Sequence, residues 1–104
     1  MAGEIFISRE VLARVGIDGT QDTKTLTLAN TEYSWTVPDN VKRLIFGMRS
    51  GNTSFRYGWS TGATNFTVPT GAFRDCSDVY LVGKTLFLIC PDNAAEVIEL
   101  EYWT

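Results

Sequence analysis

The 104-residue chain contains no histidine. That excludes Ser–His–Asp and Cys–His catalytic machinery, histidine-ligated zinc and a histidine pH switch. Cysteine is scarce: Cys76 and Cys90 are the two present. Two thiols cannot build a four-ligand structural zinc site, and without a secretory signal they read as buried thiols rather than a bridge. No apolar run approaches the ~20 residues that span a bilayer, so no membrane partner is expected. The opening, Met1-Ala-Gly-Glu-Ile-Phe-Ile-Ser8, carries neither a basic region nor a long apolar core. The expectation is a chain that stays in, or assembles within, a cytoplasm.

No run of basic residues stands out either. With net charge −3, the chain lacks the electrostatic footprint of a nucleic-acid binder. The charge is unevenly laid out. Residues 40–74 hold five bases (Lys42, Arg43, Arg49, Arg56, Arg74) and no acid, whereas residues 75–104 hold six acids and only Lys84. Such polarity suits cross-strand ion pairs within one molecule, or head-to-tail contact between copies.

Chemistry-bearing motifs are missing as well. There is no glycine-rich phosphate loop; Arg49-Ser-Gly-Asn-Thr-Ser54 reads as a hairpin turn. A cysteine nucleophile at Cys76 would need a base that the chain does not supply. Asp18-Gly19 with Asp22 reads as a turn rather than a calcium site. No catalytic residue, cofactor or metal ligand is assigned.

What is present is alternation. Length and composition, 44% apolar and 20% charged, fit one globular domain. Short alternating runs are broken by turn signals at Asp18-Gly19, Pro38-Asp39-Asn40, Ser50-Gly51-Asn52, Thr61-Gly62, Thr70-Gly71 and Pro91-Asp92-Asn93. This is the pattern of an all-β sandwich. Seven strands are predicted: 23–29, 32–37, 42–49, 54–60, 65–68, 84–90 and 96–103. Period 2 sends Leu26 and Leu28, Tyr33, Trp35 and Val37, and Leu44, Phe46 and Met48 inward. It does the same for Phe55, Tyr57 and Trp59, Phe66 and Val68, and Ile98, Leu100 and Tyr102. Residues 84–90 are apolar on both faces, as in a central strand. Residues 71–83 read as a long connection with a helical turn at Arg74–Ser77. Residues 1–23 read as an N-terminal arm or edge strand, with Ser8–Val15 extended in preference to a short helix capped by Ser8, and residues 24–104 as the sandwich.

From Leu26 to Trp103 the order of features is distinctive. It runs Tyr33-Ser-Trp-Thr-Val-Pro38, Lys42-Arg-Leu-Ile-Phe-Gly-Met-Arg49 and Ser54-Phe-Arg-Tyr-Gly-Trp59. Asn65-Phe-Thr-Val-Pro69, Gly83-Lys-Thr-Leu-Phe-Leu88 and Val97-Ile-Glu-Leu-Glu-Tyr-Trp103 follow. This order resembles the small all-β virion proteins of tailed bacteriophages, of the head-decoration or cement type, over about three quarters of the chain. The resemblance implies an antiparallel, jelly-roll-like β-sandwich on the outside of a capsid, assembled in the host cytoplasm. It also implies a homo-oligomer, dimer or trimer, that binds the major capsid protein. No functional residue is carried over from it.

Contact residues are instead proposed from chemistry: the apolar start Ile5, Phe6 and Ile7, the basic strand residues Arg43, Arg49 and Arg56, and the final strand's Glu99, Glu101 and Trp103. The alternatives are a carbohydrate- or receptor-binding module of a tail or fibre, or another minor virion joint. The first of these predicts an exposed aromatic with polar neighbours in a shallow groove.

Overall fold

The computed structural model describes residues 19–77 and 80–104. Eight strands occur there: β1 Gly19–Leu26, β2 Tyr33–Thr36, β3 Arg43–Met48, β4 Phe55–Gly58, β5 Phe66–Val68, β6 Phe73–Asp75, β7 Thr85–Ile89 and β8 Glu96–Trp103. They form two four-stranded sheets, β1-β8-β3-β6 and β2-β7-β4-β5. Every neighbouring pair is antiparallel. The pairs β1–β8, β2–β7, β3–β6 and β4–β5 are nested like the rungs of one long hairpin. The β3–β8 and β4–β7 pairings then join those rungs into sheets.

The alternation explains the sandwich. Leu44, Phe46, Ile98 and Leu100 from one sheet are buried against Trp35, Phe55, Tyr57, Leu86 and Leu88 from the other. Ring contacts mark the seam. Phe46 meets the edge of Tyr57 with centroids 5.2 Å apart, and Trp35 meets Tyr102 at 5.8 Å. No charged side chain is buried among the described residues. In the seam, the Trp35 indole N–H donates to Asp22 Oδ2 at 2.8 Å. Between strands, Asn30 and Asn40 take left-handed backbone conformations, φ 53° and 65°. Asparagine tolerates that region better than other side chains with a Cβ. Cys76 and Cys90 are both buried thiols.

The expected strands are present, with three departures from the sequence reading. The helical turn at Arg74–Ser77 is absent, because Phe73–Asp75 is strand β6. The free edge of β3 decides this: Cys76 N–H donates to Leu44 C=O at 2.7 Å, and the inward Arg74 side chain donates to the Tyr57 hydroxyl at 2.8 Å. The first strand starts earlier than expected, at Gly19, and ends at Leu26, so the boundary drawn at residue 23 falls inside it. Leu28 lies past that end and is 60% exposed. Phe66 has the inward phase yet is 67% exposed, because β5 is a three-residue edge strand that only partly overhangs the core. It rests against the Tyr57 ring at 6.0 Å. Ile5, Phe6, Ile7 and the extended segment over Ser8–Val15 lie outside the described residues.

Candidate functional site on the outer face of the β1-β8-β3-β6 sheet

Register places the site. Across this sheet Gln21 stands opposite Glu101, which stands opposite Ile45, which stands opposite Asp75. The next row is Thr23, Glu99, Gly47 and Phe73. A third is Gly19, Trp103 and Arg43. Leu44, Phe46, Ile98 and Leu100, the alternate residues, are in the core, so these rows face outward.

The middle row has a gap. Gly47 has no side chain, and the Phe73 ring fills the place where one would stand. A Cβ on Gly47 would lie 2.4–2.6 Å from three ring carbons of Phe73. The ring therefore lies across the β3 backbone and remains 56% exposed. Beside it is an open hollow of about 480 Å³, lined by Gln21, Thr23, Ile45, Arg49, Glu99 and Glu101 among others. It combines an aromatic plate, an amide, two carboxylates and a guanidinium, a mixture suited to recognising a polar surface or ligand.

The charges around the hollow are paired across strands. Arg49 Nε lies 3.1 Å from Glu99 Oε2, and Gln21 Nε2 donates to Glu101 at 3.4 Å. Arg43 bonds Asp75 at 2.8 Å and lays its guanidinium over the Trp103 ring, 5.1 Å from the centroid. Gly19 makes room for that indole, since a Cβ there would stand 3.0 Å from Trp103 Nε1. The polarity of the sequence is thus met, in these pairs, inside one molecule.

The hydrogen bond from Arg43 holds the Asp75 carboxyl below the ordinary aspartate range, against an opposing effect of burial. A carboxyl depressed in the folded state stabilises above its unfolded value, near 3.9, and that stabilisation is lost as pH falls through the folded value. Asp75→Asn is therefore expected to lower the melting temperature at pH 6–7 and to converge on the wild type as the pH falls through the depressed folded-state value. Melting curves from pH 2 to 7 read this directly. A constant offset across the range would assign the loss to something other than the charge.

Five of the proposed contact residues, Arg43, Arg49, Glu99, Glu101 and Trp103, share this face. Arg56 does not: it is an exposed residue of β4 on the other sheet, opposite Thr67 and Ile89. Trp103 is half-buried beneath Arg43, Trp59 is half-buried against Tyr57, and Trp35 is core. Phe73, Ile45, Asp75 and Gln21 carry no clear signal of this face in the sequence. A three-residue strand shows too little alternation to be read, so Phe73 and Asp75 were hidden in an apparent loop. The available signal was Gly47 itself, a glycine inside an apolar strand, which marks close approach by a neighbour. Comparison with protein-family models, curated proteins and solved structures gives no match for this chain.

Proposed function

We propose that the chain is a structural protein of a phage particle that decorates the outside of the capsid and stabilises it. The observation that carries the reading is the gathering of Phe73 with the Arg49–Glu99 and Gln21–Glu101 pairs around a hollow, on the outward sheet face that also holds Trp103 and the Arg43–Asp75 pair. That is a recognition surface with an aromatic anchor and a polar surround. The nested pairing of β1 with β8 through β4 with β5 supports it, since we read this winding as a jelly roll, an architecture recurrent in viral capsid and lectin domains. Support from fold is by analogy. A protein that binds only the assembled shell stabilises it by mass action, and many symmetric copies let each contact be small.

Two measurements test this. Quantitative mass spectrometry of particles from the source should find the chain at a copy number comparable to the major shell protein. A few copies would mean a tail, neck or fibre part, and absence would remove the virion reading. On shells stripped of the protein, Phe73→Ala with Arg49→Glu is expected to weaken binding about tenfold to a hundredfold, with Arg56→Glu unchanged. Equal binding by all three would sink the assignment of this face.

A second reading is favoured by the Phe73 plate. An exposed ring flanked by Gln21, Glu99 and Glu101 also suits stacking under a sugar whose hydroxyls meet the amide and carboxylates. A glycan-array signal abolished by Phe73→Ala, in a protein that ignores shells, would select it.

A further inference from the structure

We infer that β1 is a self-complementary edge through which two copies of the chain join into one continuous sheet. This inference does not depend on the capsid reading.

The first observation is which backbone groups the edge presents. Cys76 N–H donates to Leu44 C=O, so the even-numbered residues of β3 address β6 and the odd-numbered ones address β8. Arg49 N–H donating to Val97 C=O at 2.9 Å agrees, and puts the odd residues of β8 toward β3. The even residues of β8 then address β1. Their partners are Thr20, Asp22, Lys24 and Leu26. Gly19, Gln21, Thr23 and Thr25 are left to direct their N–H and C=O groups away from the sheet. The Thr23 N–H shows this independently, because it donates to the Asp22 side chain at 2.8 Å. β1 is eight residues long, has no proline, and has six exposed residues. Among the described residues no strand covers it, and long open edges are templates for another strand.

The second observation is the charge pattern, which selects both the occupant and the register. Two antiparallel β1 strands can pair their free groups with Thr23 on the two-fold axis. Gln21 then meets Thr25 of the other copy, Thr23 meets Thr23, and each pair exchanges two N–H···O bonds. In that register Asp22 stands opposite Lys24, twice over, at the non-hydrogen-bonded positions where side chains approach most closely. The neighbouring registers centred on Asp22 or Lys24 place like charges directly opposite on the axis. When Thr23 N–H turns to its partner's carbonyl, it releases an Asp22 oxygen for the incoming Lys24. Asp22 keeps its bond to the Trp35 indole. The product is an eight-stranded sheet, β6-β3-β8-β1 continued by its symmetry mate. The hollows bounded by Gln21 and Thr23 lie on either side of the axis.

Sedimentation equilibrium of the full chain, covering dissociation constants from about 1 μM to 1 mM, tests this. The expected result is a reversible dimer. Thr25→Pro deletes one edge-facing N–H and leaves the β8 ladder intact, so it should give a monomer with unchanged circular dichroism. Lys24→Asp places Asp opposite Asp and should weaken the dimer at least about tenfold. It carries the test if the proline variant fails to fold. Thr23→Cys should cross-link to itself on oxidation, since paired Cα atoms about 5.5 Å apart lie in the disulfide range. A wild type that stays monomeric, with the Gln21 and Thr25 amides either open to exchange or protected by another part of the chain, overturns the inference. So does a dimer that Thr25→Pro and Lys24→Asp leave intact, because it uses another surface.

Discussion

Phe46→Ala is expected to remove about 3–5 kcal/mol of stability, the cost of deleting a buried phenylalanine and leaving its cavity. A domain of this size has on the order of 5–15 kcal/mol in total, so the variant should be at the edge of folding at room temperature. The site gives it little room to collapse. Phe46 is fully buried on β3, at the centre of the sheet–sheet seam, and touches rings from the opposite sheet. Tyr57 meets it edge-on at 5.2 Å and Phe55 at 6.2 Å. Both are held by their own strand, which pairs with β5 and β7. They cannot move into the void without breaking those ladders. Urea unfolding followed by tryptophan fluorescence measures the change. A loss below about 1 kcal/mol would mean that the two sheets close over the gap and that the seam is less tightly built than described.

Gly58→Ala is the second large effect, and it acts by addition. A Cβ at Gly58 would stand 1.9 Å from the Ala63 carbonyl oxygen and 2.8 Å from its carbon. These are backbone atoms, so relief requires the Ser60–Ala63 turn to move as a unit. That turn is held by the Ala63 N–H bond to Ser60 C=O and by Gly62 N–H donating to the Glu32 carboxylate at 3.0 Å. Displacing it breaks the Glu32 contact and lifts the cover from the end of β4. We expect a loss of about 3 kcal/mol, at the upper end of overpacking costs. Gly62→Ala serves as the comparison: no atom lies within 4 Å of a Cβ there, and only its left-handed φ of 76° opposes the change. It should cost about 1 kcal/mol. Equal losses at the two positions would show that the turn yields freely and that the clash at Gly58 is not the controlling feature.

Much of the architecture was legible because period-2 alternation depends only on neighbours along the chain. Leu44, Phe46 and Met48, or Ile98 and Leu100, have one burial state whatever strand lies beside them. Alternation failed where a residue had the right phase but no cover. Phe66 and Leu28 are exposed because β5 is short and β1 stops at Leu26, and both lengths are set by partner strands. The candidate face was half legible. The chemistry of Arg43, Arg49, Glu99, Glu101 and Trp103 marks them in two distant segments of the chain. Arg56 has the same chemistry and lies on the opposite sheet.

The sequence by itself determined the all-β class, the positions of the turns and most of the inward side chains. It also carried the charge separation between the middle and the end of the chain. These are local properties, fixed by side-chain alternation, turn chemistry and composition. Only the tertiary structure decided that β8 lies between β1 and β3, and that order builds the candidate face. It brings Glu99 to Arg49 and lays Phe73 over Gly47 through β3's other neighbour. It also leaves the odd-numbered backbone groups of β1 facing outward. Strand order is a long-range choice among antiparallel pairings of similar local energy. It is settled by which closure buries Phe46, Tyr57, Trp35 and Tyr102 together, and no single segment of the chain contains that information.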